Sequence, residues 1–258
     1  MASGKNINPV LTLVHNCPEL TEKALASVAW QTVPDHYVMA VDNDSDEHTA
    51  AWLPNACDHV LRYSPQIGVS AGWNRGLARL FGMGAKHVLV INNDVALPVD
   101  FYERLLAHDF PFVTGVAVED MAELKKPMQW DHPAPHPDFS AYLIRRECWE
   151  TVGRFDETMV HYASDCDLHV RAHRLGVPMM KVPVPFYHER SSTLRHSTPE
   201  ERRRIELQAE ADRQTFRNKY GCVPGDEQYA RLFDAVIPNV PEVNCTSARA
   251  SGSEGPQP

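Results

Sequence analysis

Short apolar runs rich in β-branched residues alternate along the chain with stretches whose apolar residues recur at helical spacing. Residues 10–14 (V-L-T-L-V) form the first run, and residues 18–30 read as a helix, with Pro18 suited to its first turn and Glu19 to its positive end. The second run, residues 37–41, ends in Asp42-Asn43-Asp44-Ser45, a cluster that favours turns and caps. Residues 59–63 form the third run, residues 74–81 predict a helix closed by Gly82, and the fourth run, residues 87–91, stops at Asn92-Asn93-Asp94. Strand, helix and strand at this spacing predict an α/β fold with a doubly wound, mostly parallel sheet flanked by helices.

The second half changes character. Residues 112–118 and 141–145 read as strands, separated by a stretch holding Pro127, Pro133, Pro135 and Pro137, which predicts a loop over the site. A helix is expected near residues 165–175, closed by Gly176. The run at 179–187 contains Pro183 and Pro185, which suits an edge strand or extended segment. A long helix is expected over 197–220, with Ser197 and Glu200 as a capping box and Gly221 as its stop. Its apolar stripe (Ile205, Ala209, Phe216, Tyr220) is thin, so it is read as a surface helix that covers something or binds a partner. The expected organisation is a core over residues 1–192, a helical extension over 193–242, and a disordered tail over 243–258, where Ser, Gly, Pro and Glu dominate.

With 43% hydrophobic and 23% charged residues, the chain can bury a core. A net charge of −9 gives no general attraction for a polyanion, which disfavours nucleic acid as a partner, although Arg202, Arg203 and Arg204 sit together. The scattered cysteines Cys17, Cys57, Cys148, Cys166, Cys222 and Cys245 contain no C-x-x-C pair and suggest neither a zinc knuckle nor a disulfide framework. No secretory signal or transmembrane stretch is visible, so a cytoplasmic location is expected.

In open α/β sheets ligands bind beyond the carboxyl ends of the strands. Three of the first four runs end in polar residues: His15-Asn16, Asp42-Asn43-Asp44, and Asn92-Asn93-Asp94. Parallel strands would gather these tips on one edge. A carboxylate at such a tip, Asp94, is suited to carry Mg²⁺ or Mn²⁺ beside a diphosphate, with further ligands needed. His188, just beyond the run at 179–187, is one source of an imidazole. Asp165 and Asp167 flank Cys166 at a helix start, where they serve either as caps or, one of them, as a general base.

These residues resemble the family 2 glycosyltransferases of GT-A fold, particularly the short rhamnosyltransferase-like members. Val41-Asp42-Asn43-Asp44-Ser45 is similar to the family's V-D-N-G-S turn, which recognises the nucleotide's base and ribose, with Asp44 in place of the usual Gly. Gly68-Val69-Ser70-Ala71-Gly72-Trp73-Asn74-Arg75-Gly76 is similar to its glycine-rich segment under the nucleotide-sugar, and Ile91-Asn92-Asn93-Asp94 to its D-x-D region. Arg145-Arg146, Val152-Gly153-Arg154-Phe155-Asp156-Glu157 and Tyr162-Ala163-Ser164-Asp165-Cys166-Asp167-Leu168 follow in the family's order, with Ser164 where a Glu is usual; Tyr187-His188 fits the distal metal-site histidine. The resemblance spans roughly residues 9 to 192.

It implies a metal-dependent, inverting transfer of a sugar from a nucleotide diphosphate of UDP or dTDP type to a hydroxyl. Asp165 would be the base, and Asp94 and His188 would hold Mn²⁺ or Mg²⁺. His15, Asn16, Asp42, Asn43, Gly72, Asn74, Arg75, Asn92 and Asn93 would bind the donor. The acceptor is expected to be a saccharide, or a hydroxylated DNA base, because Lys219-Tyr220-Gly221-Cys222-Val223-Pro224-Gly225 resembles a tail of short, often phage-encoded members. Two other readings compete: a nucleotide-sugar-binding module that has lost catalysis, and a serine hydrolase using Ser70, whose surroundings satisfy G-x-S-x-G. Oligomeric state is not legible.

Overall fold

A computed structural model describes residues 7–234 apart from 127, 191, 193, 194 and 196. The tail over 243–258 and the last part of the expected extension therefore lie outside the described residues.

The elements, numbered here in chain order, begin with β1 (Asn8–Val14), α1 (Pro18–Ala29), β2 (His36–Asn43), α2 (Glu47–Ala56), β3 (His59–Tyr63), α3 (Val69–Gly82) and β4 (His87–Asn92). There follow β5 (Val95–Ala96), α4 (Phe101–Leu106), β6 (Phe112–Val118), β7 (Ala141–Arg145), α5 (Arg146–Val152), α6 (Ser164–Arg174), β8 (Met179–His188), α7 (Pro199–Tyr220) and α8 (Glu227–Ala230). Eight strands form one sheet in the order β3-β2-β1-β4-β7-β6-β8-β5. β1, β2, β3 and β4 run parallel, as do β6 and β8, whereas β7 opposes both its neighbours and β5 opposes β8. This is the mostly parallel α/β sheet expected from the alternating runs.

Strand alternation divides the core between the two faces. Leu11, Met39, Val41, Val88 and Val90 pack against α3 through Trp73, Leu77 and Leu80. Val10, Leu89 and Ile91 pack on the other face against Ala24 and Val28 of α1 and Phe101, Tyr102 and Leu105 of α4. Each such fully buried Leu, Val or Phe contributes about 1.5–3 kcal/mol relative to exposure.

Several boundaries differ from the sequence expectation. α3 starts at Val69, directly after Gly68 (φ 85°), so the glycine-rich segment is the helix's opening turns and Gly82 lies inside it. Gly72 and Gly76 let the helix lie directly on β1: a Cβ on either would fall 2.4 or 2.3 Å from a methyl of Leu13 or Leu11. α2, to which the sequence pattern assigns no element, holds Pro54 inside it and is capped by Asp46, which accepts the Thr49 N–H. β8 is an edge strand only in part, since it pairs parallel with β6 along its length and with β5 at Tyr187 and His188. The capping box on α7 is Thr198 with Glu201, one residue later than Ser197 and Glu200. Pro199 at the first helical position fixes this, because it drives the residue before it into extended backbone.

Candidate active site

The register of β1 sets the site. Leu13 lies beside Asn92 and Val14 beside Asp42, so the three strand tips end together. They are then tied: His15 Nδ1 lies 2.9 Å from the Asn43 carbonyl oxygen, the Asn16 N–H donates to Ser45 Oγ, and the Asp46 N–H donates to Asn16 Oδ1. Beyond the tips opens a cavity of about 560 Å³. His15, Asn16, Asn43, Asn92, Asn93 and Asp94 line it from the sheet, Pro137 to Ser140 from the proline-rich loop, Asp165, Cys166 and His169 from α6, and Glu201, Arg204 and Ile205 from α7.

Asp94 and His188 meet because Val95 pairs with His188 in the short β5–β8 ladder. His188 Nε2 lies 3.3 Å from Asp94 Oδ1, with the side chains 14% and 9% exposed. Asp94 Oδ2 accepts the Ser192 hydroxyl at 2.5 Å, but Oδ1 is buried without a hydrogen-bond partner among the described residues. The 3.3 Å contact is thus an ion-pair distance lacking hydrogen-bond geometry. An orphaned carboxylate oxygen beside an imidazole nitrogen fits a divalent cation. Among the described residues no third His, Cys, Asp or Glu joins them, so remaining ligands would come from water or a bound phosphate.

Asp165 occupies the first turn of α6, which springs from Ala163 in the left-handed region (φ 64°). Burial pushes its carboxyl above the ordinary carboxylate range; the Cys166 N–H it accepts opposes that, and Asp138 pushes it further up. Asp167 faces the other way and is fully buried, paired with Arg171 and Lys219 and accepting the Tyr220 hydroxyl. Its role is to anchor the end of α7, and the Lys219-Tyr220-Gly221 segment supplies that anchor together with the helix's left-handed stop at Gly221 (φ 78°).

Four expected donor-binding residues lie away from this cavity. Asp42 is buried, with its carboxylate accepting the Ser45 N–H and paired with Arg62 at 2.9 Å. Asn74 holds the Phe155 N–H and carbonyl and reaches Glu157, which also pairs with Arg75. Gly72 serves packing against Leu13. The side chains of Asp42, Asn74 and Arg75 are engaged in these framework contacts, and Gly72 has none to offer. Ser70 is no nucleophile: its hydroxyl is fully buried and bonds to the Met159 carbonyl and Ser164 Oγ, with no histidine partner among the described residues.

Conversely, Trp73, Asp138, His161, Tyr162, His169 and Glu201 line the cavity although the sequence gives no binding role to them, and of the arginine cluster Arg204 lines it too. Burial pushes His161 down and His169 to about 4, His136 and His173 adding to the latter, which leaves Arg204 as the strong cation. Arg202 and Arg203 are exposed outside this wall. A second cavity of about 250 Å³, lined by Arg213 and Pro224, shares Trp73, Tyr162 and Asp165 with the first. Trp73 Nε1–H is buried and without a hydrogen-bond partner among the described residues.

Among curated proteins the chain is 25% identical over 146 residues to the uncharacterised proteins Rv1525 of Mycobacterium tuberculosis and Mb1552 of Mycobacterium bovis, spanning 50% of this chain and 56% of theirs. Among solved structures it is similar to Staphylococcus aureus TarS, at a TM-score of 0.56 and 13% identity over 88% of this chain and 47% of that one. It is also similar to the mannosyltransferase PcManGT of Pyrobaculum calidifontis, solved with GDP-Man and Mn²⁺, at 0.52 and 15% identity over 88% of this chain and 78% of that one. These likenesses establish the GT-A fold. Residues 10–118, which carry six of the eight strands and Asp94, match the model of glycosyl transferase family 2.

Proposed function

We propose that the chain is a nucleotide-sugar-dependent, inverting glycosyltransferase with Asp165 as its base. The observation that carries this reading is that Asp165 and Asp94, the latter 3.3 Å from His188, line one cavity at the sheet's carboxyl edge. Asp94, Asp138, Asp165 and Glu201 make that cavity acidic. A diphosphate beside Asp94 is repelled unless a cation stands between them. Mn²⁺ or Mg²⁺ held by Asp94 and His188 would neutralise the departing diphosphate. Arg204 and His15 also line the cavity, where they suit phosphate oxygens. The asparagines at the strand tips suit the nucleoside, for which UDP and dTDP types fit equally.

In this reading the acceptor approaches Asp165 through the smaller cavity, and Tyr162, an exposed aromatic, offers a saccharide a face to stack on. Asp165 takes the hydroxyl proton as the oxygen attacks the anomeric carbon from the side opposite the diphosphate. One displacement needs one base and inverts the anomeric centre. A saccharide is favoured over DNA because the net charge is −9.

The test is a thermal-shift screen of nucleoside diphosphates and their sugars with and without Mn²⁺, followed by assay of nucleoside diphosphate release. A ligand that binds only the folded state raises the melting temperature. Mn²⁺-dependent binding followed by turnover, including slow hydrolysis, supports the proposal. Binding with no turnover favours a module without catalysis, and no binding of any of them overturns it.

A further inference from the structure

Asp212 sits in the middle of α7, fully buried, and none of the motifs above includes it. Its Oδ1 accepts the Val160 N–H (2.9 Å) and the Gln208 amide (2.8 Å), and its Oδ2 accepts the N–H groups of His161 (2.8 Å) and Tyr162 (2.9 Å). One carboxylate thus collects three consecutive backbone donors. The turn it holds is pinned on its other side too. The Val160 carbonyl accepts from the Val69 and Ser70 N–H groups at the start of α3, and Ser70 Oγ bonds the Met159 carbonyl and Ser164 Oγ. Directly after the clamped residues comes Ala163 with its positive φ, and then the helical turn bearing Asp165. A non-glycine residue keeps that backbone conformation only when its surroundings impose it.

We infer that Asp212 is a positioning residue for the proposed transfer: through its clamp on Val160, His161 and Tyr162 it fixes the turn that aims Asp165 into the cavity. The inference rests on the functional reading above for its catalytic meaning. The chemistry of the clamp makes it specific for a carboxylate. Asn is isosteric, but whichever way its amide turns it sets an NH₂ group against two donors. Glu keeps both acceptor oxygens and the charge while shifting them by a methylene. Structural support alone would change how much protein is active, whereas positioning changes the chemical step and spares donor affinity.

The experiment compares wild type, D212N and D212E, reading kcat for nucleoside diphosphate release, Kd for UDP with Mn²⁺, and amide hydrogen exchange. The expected result for D212N is a kcat about 30-fold or more below wild type with UDP affinity within about threefold. D212E should recover part of kcat, and faster exchange in D212N should be confined to residues 159–166. The inference is overturned by kcat within about twofold of wild type in both variants, by kcat and affinity falling together, or by unaltered exchange over 159–166. Should D212N fail to fold, D212E decides: lowered kcat with unchanged UDP affinity supports the clamp, and unchanged kcat ends it. If wild type turns over no donor, the transferase reading fails, while the exchange pattern still decides whether Asp212 orders the turn.

Discussion

His188 Nε2 stands 3.3 Å from Asp94 Oδ1 because two residues of β5 pair with the end of β8. The pair is brought together by a ladder too short to be read from sequence, and Asp94 Oδ1 is buried there without a hydrogen-bond partner among the described residues. Replacing Asp94 by Ala should abolish Mn²⁺-dependent turnover and the Mn²⁺-dependent part of the melting shift given by UDP. H188A should weaken both without removing them. A metal-dependent shift in D94A equal to wild type would remove the residue from the cation site.

Asp165 is held above the usual carboxylate range by burial, and its role as base requires it ionised. Activity should therefore fall as pH drops through a value above that of a free carboxylate, with a single acid limb in kcat/KM. D165N should lose about 10²–10⁴-fold in kcat while binding UDP within about threefold.

The same shift has a stability consequence. A carboxyl whose folded pKa is raised holds its proton more tightly when folded, so stability falls as pH rises from the unfolded value through the folded one. D165N should thus melt higher than wild type near pH 7.5, with the difference closing towards pH 4. Melting curves across that range check the sign.

Arg204 reaches the cavity from α7 while its neighbour Arg203 does not. R204A should weaken UDP binding about tenfold, the loss of one charge-assisted contact, whereas R203A should stay within about twofold. Equal effects from both would mean a diffuse basic face rather than a specific contact.

Two glycines of α3 separate packing from propensity. G72A would press a Cβ to 2.4 Å from Leu13 and should cost about 1–3 kcal/mol, whereas G82A meets nothing within 4 Å and should gain about 0.5–1 kcal/mol. Denaturant unfolding of the two proteins measures both.

The sheet was legible because β1, β2 and β4 are largely apolar runs with polar tips, and the convergence of those tips follows from parallel pairing alone. What pattern could not give was which side chains at the tips turn outward. Asp42 and Asn74 carry chemistry-bearing groups in suggestive places, yet Arg62 and the Phe155 backbone occupy them. Asp212 was missed for the opposite reason. It continues the stripe Ile205, Ala209, Phe216 at three- and four-residue spacing, but a carboxylate in such a stripe reads as solvated unless the donors that satisfy it are known. Those donors are backbone N–H groups of a distant turn, on which side-chain pattern is silent.

The grip of Asp167 on Lys219 and Tyr220 sets a limit on how the polypeptide can be shortened. A version ending before residue 219 would strip those two partners from a buried anion and leave Arg171 alone to offset it. The same cut would also remove Cys222, Tyr229 and Phe233, which pack in one cluster with Phe216, so both the charge and the packing require the residues beyond α7.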